Sequence, residues 1–318
     1  MKRWIAISAC VCLITGGFAR PASASNDPRF GDQWGLHRIN AERSWWAGRA
    51  AGVTIAVLDT GVDDLHEDLN GKVIAGWDFH AGDNSANDEN WHGTFVAGIA
   101  AAATDNGLGI AGTAPGATIM PVRVLGPEGS GRSSAVTAGV KWAADNGAKV
   151  INLSLANDGP MAFGAIPGLD NSIAYAFAKG AVVVAAAGNS SEPWCKSPAF
   201  SLFALCVGAT HAGDQKAGFS NHGVRLDVVA PGQNIVSTYY RPGGPHNQYG
   251  LGLGTSFAAP FVSGVAALLM ARGATNVQAM HAIRCSARDI GDYGYDVQTG
   301  FGLLDAERAV QALSNGLC

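Results

Sequence analysis

Short apolar runs recur along the chain and predict the strands of a buried sheet. Each run is too short for a helix, and none shows the alternation of apolar and polar residues that marks a strand with one face in water. Runs of this kind are typical of parallel strands that are covered on both faces. The predicted strands are Val53–Leu58, Ile119–Val124, Val150–Leu155, Ala181–Ala186, Leu205–Gly208 and Leu226–Ala230.

Segments with the helical spacing of apolar residues lie between or after these runs. Strand and helix therefore alternate, which favours the α/β class, with helices on both faces of a parallel sheet. No linker, repeat or low-complexity stretch divides the chain, so we expect one domain over residues 25–318. The predicted helices are Gly93–Ala103, Ser133–Ala144, Ser172–Ala178, Ser256–Met270 and Gln278–Cys285.

The first residues have the pattern of a secretory signal peptide. Two basic residues precede an apolar run over residues 4–18, and residues 22–24 (Ala-Ser-Ala) have the small side chains that a signal peptidase accepts. The run is shorter than the roughly 20 residues needed to span a bilayer. We therefore expect residues 1–24 to be removed and the rest to be secreted, into the extracellular space or the periplasm, with no membrane attachment.

Composition excludes several classes of protein. The chain has 318 residues, 47% hydrophobic and 14% charged, so it contains enough apolar surface for a large core and is not a disordered chain. Its net charge is −4 and its basic residues are scattered. Because no basic patch is present, we expect no nucleic-acid partner.

Two of the six cysteines fall in the predicted signal peptide, which leaves four in the mature chain. An exported protein meets an oxidising compartment in which disulfides persist. Four cysteines allow three pairings. The pairs nearest in sequence, Cys195 with Cys206 and Cys285 with Cys318, are the predicted disulfides.

Three segments carry the side chains of a serine nucleophile and its base. Asp59 follows the first apolar run, His92 opens His-Gly-Thr-Phe-Val-Ala-Gly, and Ser256 lies in Gly-Thr-Ser-Phe-Ala-Ala-Pro. A serine hydroxyl needs a base to take its proton as it attacks a carbonyl. Histidine titrates near neutral pH, and a buried carboxylate fixes its tautomer. We therefore expect Ser256 to be the nucleophile, His92 the general base and then acid, and Asp59 the orienting group.

Together the three motifs resemble the signatures of the subtilases, the subtilisin-like serine peptidases, in the chain order Asp, His, Ser. The resemblance extends from Asp27 to Val310 and is nearest to the thermitase-like branch. It implies a three-layer αβα fold with a mostly parallel central sheet. It also implies a serine endopeptidase that forms a covalent acyl-enzyme on Ser256.

The resemblance also assigns an oxyanion donor and a substrate-binding region. Asn189, in Ala-Ala-Ala-Gly-Asn-Ser, matches the subtilase asparagine that donates a hydrogen bond to the oxyanion, with the Ser256 N–H as second donor. The substrate would bind as an added strand through its backbone, which implies broad specificity. The uncharged wall beside Ala186 predicts an apolar or aromatic residue before the scissile bond. The substrate-binding residues implied are Gly129, Ser130, Gly131, Ser154, Leu155, Ala156, Ala187 and Gly188.

The resemblance further implies structural Ca²⁺ at one strong site and one weaker site, and no cofactor for the chemistry. The ligands are the hard oxygen atoms that calcium prefers. The second site is thermitase-like, and it should be weaker because Ala81 stands where an Asp ligand is usual. The first site would use Asp27, Asp68 and Asn106 with the carbonyl oxygens of Ala103, Leu108 and Ile110, and the second would use Asp78, Asp83 and Asn87.

Maturation and partners leave alternatives open. Most secreted subtilases carry a pro-segment, whereas here no separate pro-segment precedes the predicted catalytic domain, so the chain folds alone or with a chaperone acting in trans. Beyond protein or peptide substrates, a proteinaceous inhibitor is a further candidate partner, and we expect a monomer.

A second hypothesis for the function is a secreted, catalytically weak pseudoprotease that binds peptides. An esterase of the α/β-hydrolase type is disfavoured, because it requires Gly-x-Ser-x-Gly and the order Ser, Asp, His.

Overall fold

The computed structural model describes residues 25–156 and 166–316. The predicted signal peptide and Cys318 lie outside these residues. A sheet of seven parallel strands occupies the centre; six of them match the predicted apolar runs, and the two-residue strand Trp77–Asp78 was not predicted. The strands are β1 (Thr54–Asp59), β2 (Trp77–Asp78), β3 (Thr118–Arg123), β4 (Val150–Leu153), β5 (Val182–Ala186), β6 (Ala204–Thr210) and β7 (Val228–Pro231). Their order across the sheet is β2-β3-β1-β4-β5-β6-β7.

Helices cover both faces of this sheet and complete three layers. The five predicted helices are present within a few residues of their expected ends, except that the third begins at Pro167 rather than Ser172. The helices are α1 (Trp34–Arg38), α2 (Ala41–Ser44), α3 (His92–Ala101), α4 (Ser133–Asp145), α5 (Pro167–Ala178), α6 (Thr255–Ala271), α7 (Asn276–Ser286) and α8 (Ala306–Ser314), with 3-10 turns at Phe30–Asp32 and Trp45–Ala47. Apolar residues of α4 and α5 pack on one face, and those of α3, α6, α7 and α8 pack on the other.

Strand β1 shows why the runs are continuously apolar. Ile55 and Val57 point into the core that contains α6, while Ala56 and Leu58 point into the core that contains α4. All four side chains are fully buried. Successive residues of a strand face opposite sides, so a strand covered on both faces has no polar positions.

A second sheet, of two antiparallel strands, was not predicted, because its strands are not continuous apolar runs. Its strands are β8 (Gln233–Tyr239) and β9 (Gln248–Leu253). The buried Ser237 and Thr238 donate from their hydroxyls to the carbonyl oxygens of Phe95 and Thr94, at 2.6 and 2.7 Å. Because these polar residues bind the backbone of α3, the strand is buried without an apolar run.

The predicted disulfide between Cys195 and Cys206 is present, and it joins the segment after β5 to β6. Its Cα atoms lie 6.5 Å apart. Cys285 is also disulfide-bonded. Its expected partner, Cys318, lies outside the described residues, so that pairing stays a prediction. Among the described helices, none is both long and apolar enough to cross a bilayer.

Candidate active site

Parallel topology brings Asp59 and His92 together at one edge of the sheet. Asp59 is the last residue of β1 and is fully buried, while His92 is the first residue of α3. His92 Nδ1 lies 2.8 Å from Asp59 Oδ1. The approach requires glycine at position 93, because a Cβ there would lie 2.0 Å from the carbonyl oxygen of Gly61. The first turn of α3 can therefore reach the end of β1.

The Asp59 carboxylate is held in place by the chain that follows it. The Thr60 N–H donates to Asp59 Oδ1 at 2.8 Å, and the Gly93 N–H donates to Thr60 Oγ1 at 3.0 Å. The Thr60 hydroxyl in turn donates to buried Asp88 at 2.8 Å. These bonds connect β1 to the start of α3, which leaves the Asp59 carboxylate facing one nitrogen of the imidazole.

The pKa of His92 is raised above its ordinary value. Burial of the imidazole lowers this pKa, but the Asp59 carboxylate raises it through its charge and its hydrogen bond, and the charge of Asp88 adds to the rise. The contact with Asp59 occupies Nδ1, so the other nitrogen, Nε2, is the one available to a nucleophile. The arrangement is that of a histidine base oriented by a carboxylate.

Aromatic rings pack around His92. The ring centroids of Trp91 and Phe257 lie 5.6 and 5.5 Å from that of His92. Phe95 and Phe257 are in contact, at 4.4 Å between centroids. Phe95 and Phe257 stand where subtilases often have His and Met, whereas no motif marked Trp91. The rings exclude water from one side of the imidazole.

Ser256 is the second residue of α6 and reaches the same edge of the sheet. A buried chain of hydrogen bonds positions its backbone: Ser154 Oγ donates to the Ser256 carbonyl oxygen at 2.7 Å. Asn152 Nδ2 donates to Ser154 Oγ at 2.9 Å, and Ser263 Oγ donates to Asn152 Oδ1 at 2.8 Å. The chain runs from β4 into α6, so the sheet fixes the start of the helix that carries Ser256.

The side-chain oxygen of Asn189 accepts hydrogen bonds from Thr255, and this leaves the NH₂ group of Asn189 as a donor. Asn189 Oδ1 accepts from the Thr255 N–H at 2.8 Å and from the Thr255 hydroxyl at 2.9 Å. An N–H can only donate, so the Thr255 amide requires the oxygen of Asn189 on its side. Nδ2 is then left to donate to an oxyanion that would form on a substrate carbonyl attacked by Ser256.

One cleft of about 920 Å³ is lined by His92, Asn189, Ser256 and most of the predicted substrate-binding residues. Ala187 is the exception, because its side chain is fully buried and does not reach the cleft. Two charged residues that no motif marked, Glu128 and Lys196, also line the cleft. The lining residues anticipated from the sequence are His92, Gly129, Ser130, Gly131, Ser154, Leu155, Ala156, Gly188, Asn189 and Ser256.

Oxygen-rich side chains of the first predicted calcium site gather around the loop at residues 103–110. Asp27 and Asp68 are buried, at 4% and 0% exposure. Asn106 connects them, with its N–H 3.1 Å from Asp27 Oδ1 and its Nδ2 2.9 Å from Asp68 Oδ1. Burial raises the pKa of the Asp68 carboxyl, although hydrogen bonds from Asn106, Ile110 and Tyr249 lower it. Buried carboxylates are the hard oxygen donors that calcium prefers. Here the N–H groups of residues 105–107 donate to Asp27 and that of Ile110 donates to Asp68, so the first site stays a prediction.

The second predicted calcium site fits less well. Asp78 Oδ2 lies 3.1 Å from Arg123 Nη1, and Asp78 Oδ1 accepts from the N–H groups of His80 and Ala81. Asp83 is exposed. Within residues 25–156 and 166–316, no three His, Cys, Asp or Glu side chains cluster so as to hold a metal. A cation at Asp78 would compete with a buried guanidinium, so this site stays a prediction.

Removing the side-chain donor of Asn189 should slow the chemical step. For Asn189→Leu, we expect kcat to fall by about 10²–10³, with KM changed only a few-fold, because the oxyanion forms after the substrate is bound. Steady-state kinetics on a chromogenic peptide measures both constants. The control is Thr255→Val, which keeps Nδ2 and should lose much less. A rise in KM with unchanged kcat would place Asn189 in substrate binding instead.

Comparison with known proteins agrees with this geometry. The subtilase family model matches residues 50–302. Thermitase of Thermoactinomyces vulgaris is 45% identical over 289 residues, which cover 90% of this chain and 99% of that protein. Subtilisin Savinase of Lederbergia lenta is 40% identical over 281 residues, 87% of this chain and 98% of that protein.

A solved structure extends the likeness to the whole fold. A protease from Pseudoalteromonas arctica superposes with a TM-score of 0.83 at 32% identity, covering 92% of this chain and 100% of that one. These relatives and the family match identify a serine-type endopeptidase, and they give no support to a catalytically weak pseudoprotease. Its αβα architecture, its motifs and its relatives agree: the chain belongs to the subtilase family.

Proposed function

We propose that this protein is a secreted endopeptidase that cleaves extended protein segments through an acyl-enzyme on Ser256. The observation that carries the proposal is the 2.8 Å contact between Asp59 and His92 at a cleft that Ser256 and Asn189 also line. The basic residues, apolar run and Ala-Ser-Ala motif of the first 24 residues support secretion.

Acylation begins with attack of Ser256 Oγ on the carbonyl carbon before the scissile bond. His92 Nε2 takes the hydroxyl proton, and Asp59 stabilises the imidazolium through Nδ1. The carbonyl oxygen becomes an oxyanion and accepts hydrogen bonds from Asn189 Nδ2 and the Ser256 N–H. As the C–N bond breaks, His92 gives its proton to the leaving amine.

Deacylation repeats these steps with water in place of serine. His92 takes a proton from water, the resulting hydroxide attacks the ester carbon, and the same two donors stabilise the second oxyanion. The proton then returns to Ser256 Oγ as the ester bond breaks. Both half-reactions use one base and one oxyanion site, so a single rigid arrangement serves the whole cycle.

Substrate binding relies on main-chain groups, which gives broad use of substrates. The segments 129–131 and 154–156 line the cleft and offer backbone N–H and C=O groups to an extended peptide. Apolar surface beside them, from Leu155 and Ala186, suits an apolar or aromatic side chain before the scissile bond. Ala156 stands where a glycine is usual in subtilases, and its methyl group would make the cleft narrower than a glycine would.

Covalent labelling together with hydrolysis tests this function. The mature protein, residues 25–318, is treated with a fluorophosphonate and digested, and mass spectrometry locates the label. We expect the adduct on Ser256, together with hydrolysis of casein and of a peptide with phenylalanine before the scissile bond. A protein that is folded by circular dichroism, yet neither labelled nor active, would overturn the proposal in favour of a peptide-binding pseudoprotease.

Calcium at the first site would act on stability rather than on chemistry. Asp27, Asp68 and Asn106 would hold the ion with the carbonyl oxygens of the 103–110 loop, where its charge would offset two buried carboxylates. Saturation to 100 times Kd contributes about 2.7 kcal/mol, and about 1 kcal/mol shifts the Tm of a domain of this size by about 2–4 °C.

Chelation should therefore lower the thermal stability of the protein. We expect a Tm about 5–10 °C lower in chelator than in millimolar Ca²⁺, measured by calorimetry. Asp27→Asn should remove most of the Ca²⁺-dependent increment, whereas Asp83→Asn, at the second site, should leave it largely intact. Equal Tm values with and without Ca²⁺ would show that the 103–110 loop binds no calcium.

A further inference from the structure

A tryptophan that no motif marks lies in the cleft, directly before His92. Trp91 lines the cleft together with His92 and Ser256. Its side chain is partly buried and packs against the core that contains α3 and α6. The ring centroids of Trp91 and Tyr239 lie 5.6 Å apart, with 30° between the ring planes. We use the name aromatic platform for the rings of Trp91, Phe95, Tyr239 and Phe257.

The aromatic platform is supported by strand β9, whose glycines let the rings approach its backbone. A Cβ placed on Gly252 would lie 2.5 Å from Phe257 Cε2 and 3.0 Å from Phe95 Cζ. Phe95 and Phe257 are almost fully buried, and their ring centroids lie 6.0 and 6.3 Å from that of Trp91. Of the four rings, Trp91 is the one that lines the cleft. The buried rings therefore support the indole from the side away from the substrate.

Trp91 lies on the side of the cleft that the leaving amine must occupy. In the proposed mechanism the amine takes its proton from His92 Nε2, so its nitrogen must come within hydrogen-bonding distance of that atom. The centroid of the Trp91 indole lies 5.6 Å from that of the imidazole. A side chain one residue after the scissile bond is therefore within contact distance of the indole. The acyl part of the substrate, by contrast, is proposed to lie along residues 129–131 and 154–156.

The polar edge of the Trp91 indole is open to a ligand. Trp34 and Trp45 donate from Nε1 to backbone carbonyl oxygens, at 3.0 Å in each case, as packed tryptophans usually do. In the part of the chain that the structure describes, Nε1 of Trp91 has no such acceptor, and the atom is not buried. Trp91 is thus packed through the rings beneath it and is not tied to the protein through its N–H group.

We propose that Trp91 determines specificity on the leaving-group side, so that the enzyme prefers an aromatic residue immediately after the scissile bond. The ring of that residue packs on the indole. Aromatic pairs attract each other in offset-stacked or edge-to-face arrangements, beyond the gain from burial alone, whereas an aliphatic side chain gains only from burial. The inference deepens the proposed function and rests on it. It adds a preference after the scissile bond to the apolar or aromatic preference before it.

Three peptides that differ only in the residue after the scissile bond test the inference. They carry phenylalanine, leucine or alanine at that position, and mass spectrometry of the products confirms the bond that is cleaved. For the wild type we expect kcat/KM for phenylalanine to exceed that for leucine by about two- to tenfold, the effect of one aromatic pair. In Trp91→Leu this ratio should fall to about one, whereas Trp91→Phe should retain part of it.

Competition between an amine and water isolates the leaving-group side of the cleft. A peptide methyl ester forms the same acyl-enzyme whichever nucleophile follows. The amine nitrogen attacks the ester carbon, the bond to Ser256 Oγ breaks, and His92 carries the amine proton to Oγ. In the wild type, phenylalanine amide should form more peptide product than leucine amide at equal concentration, by about two- to tenfold. In Trp91→Leu the two amides should react about equally.

A second tryptophan supplies the matched control. Trp46 is 65% exposed and does not line the cleft. Trp46→Leu makes the same change of side chain and should keep the wild-type ratio of phenylalanine to leucine in both experiments. The wild-type ratios and the Trp91→Phe variant decide the matter even if Trp91→Leu fails to fold.

Each other outcome has a defined meaning. Equal losses on all three peptides and on the methyl ester in Trp91→Leu would make Trp91 a structural support of His92 and overturn the inference. Cleavage by the wild type with a phenylalanine-to-leucine ratio near one would overturn the inference and leave the proposed function standing. Folded wild type that cleaves neither the peptides nor the ester would overturn both.

Discussion

Replacement of Ser256 by alanine is expected to lower kcat by about 10⁶, the loss that follows removal of the nucleophile in subtilisin-type enzymes. The substitution deletes the atom that forms the acyl-enzyme and leaves its surroundings in place. The backbone carbonyl that accepts from Ser154 Oγ is retained, as is the contact between Asp59 and His92. Binding should therefore survive, with KM or the Kd of a peptide changed only a few-fold.

The measurement is hydrolysis of a chromogenic peptide at high enzyme concentration, with wild type diluted to match. The variant should still exceed the rate in water by about 10³–10⁴, because the oxyanion donors and the binding cleft remain. Ser172→Ala is the matched control, since Ser172 is a buried serine of α5 that donates to the Leu169 carbonyl oxygen and does not line the cleft. It should cost stability rather than kcat. Residual activity of a few per cent in Ser256→Ala would mean that another group is the nucleophile.

Asp59→Asn should have the next largest effect, about 10⁴ in kcat near neutral pH. The amide keeps the shape of the carboxylate but removes its charge, and its NH₂ group favours the wrong tautomer of His92. The substitution also changes the pH profile. His92 must be neutral to accept a proton, and Asp59 raises its pKa, so wild-type activity should be lost as pH falls through a value above the ordinary 6.5.

The acidic limb should therefore move to lower pH in Asp59→Asn, because the neutral amide no longer stabilises the imidazolium. The dependence of kcat/KM on pH from 5 to 10 measures both effects. Asp88→Asn is the comparison, since Asp88 also raises the pKa of His92 through its charge, while its carboxylate accepts a hydrogen bond from Thr60 instead. It should shift the limb in the same direction with a far smaller loss of rate. An unshifted limb in Asp59→Asn would contradict the assigned role of Asp59.

Most strands of the central sheet could be predicted because a strand that is buried on both faces is a continuous run of apolar residues. Strand β1, with four fully buried residues in succession, is the clearest case. The hairpin of β8 and β9 was missed for the opposite reason. Its burial depends on hydroxyl groups of Ser237 and Thr238 that bind the backbone of α3, and no local pattern shows such a partner.

The candidate catalytic residues could be proposed from the sequence because each lies in a short motif next to a predicted strand or helix, and the structure places Asp59 beside His92 and places His92, Asn189 and Ser256 in one cleft. Lys196 shows the limit of this reasoning, because nothing in its neighbours indicates that it faces the cleft. Its position follows from the return of the chain between β5 and β6, where the disulfide and the hydrogen bond to Ala187 place it against Gly188. The prediction for Ala187 was wrong for the opposite reason. Ala187 is next in sequence to cleft-lining residues, yet its side chain is buried in the core.

The burial of α6 bears on how long the enzyme survives. Almost every residue of this helix is buried between the sheet and the neighbouring helices, and its first turn carries Ser256. The nucleophile cannot be displaced by local fraying without disturbing the core, so inactivation by heat and global unfolding become one event. For a peptidase that event is irreversible, since each unfolded molecule is an extended substrate for its folded neighbours. Working lifetime is then governed by the rate of unfolding rather than by the equilibrium between folded and unfolded chains.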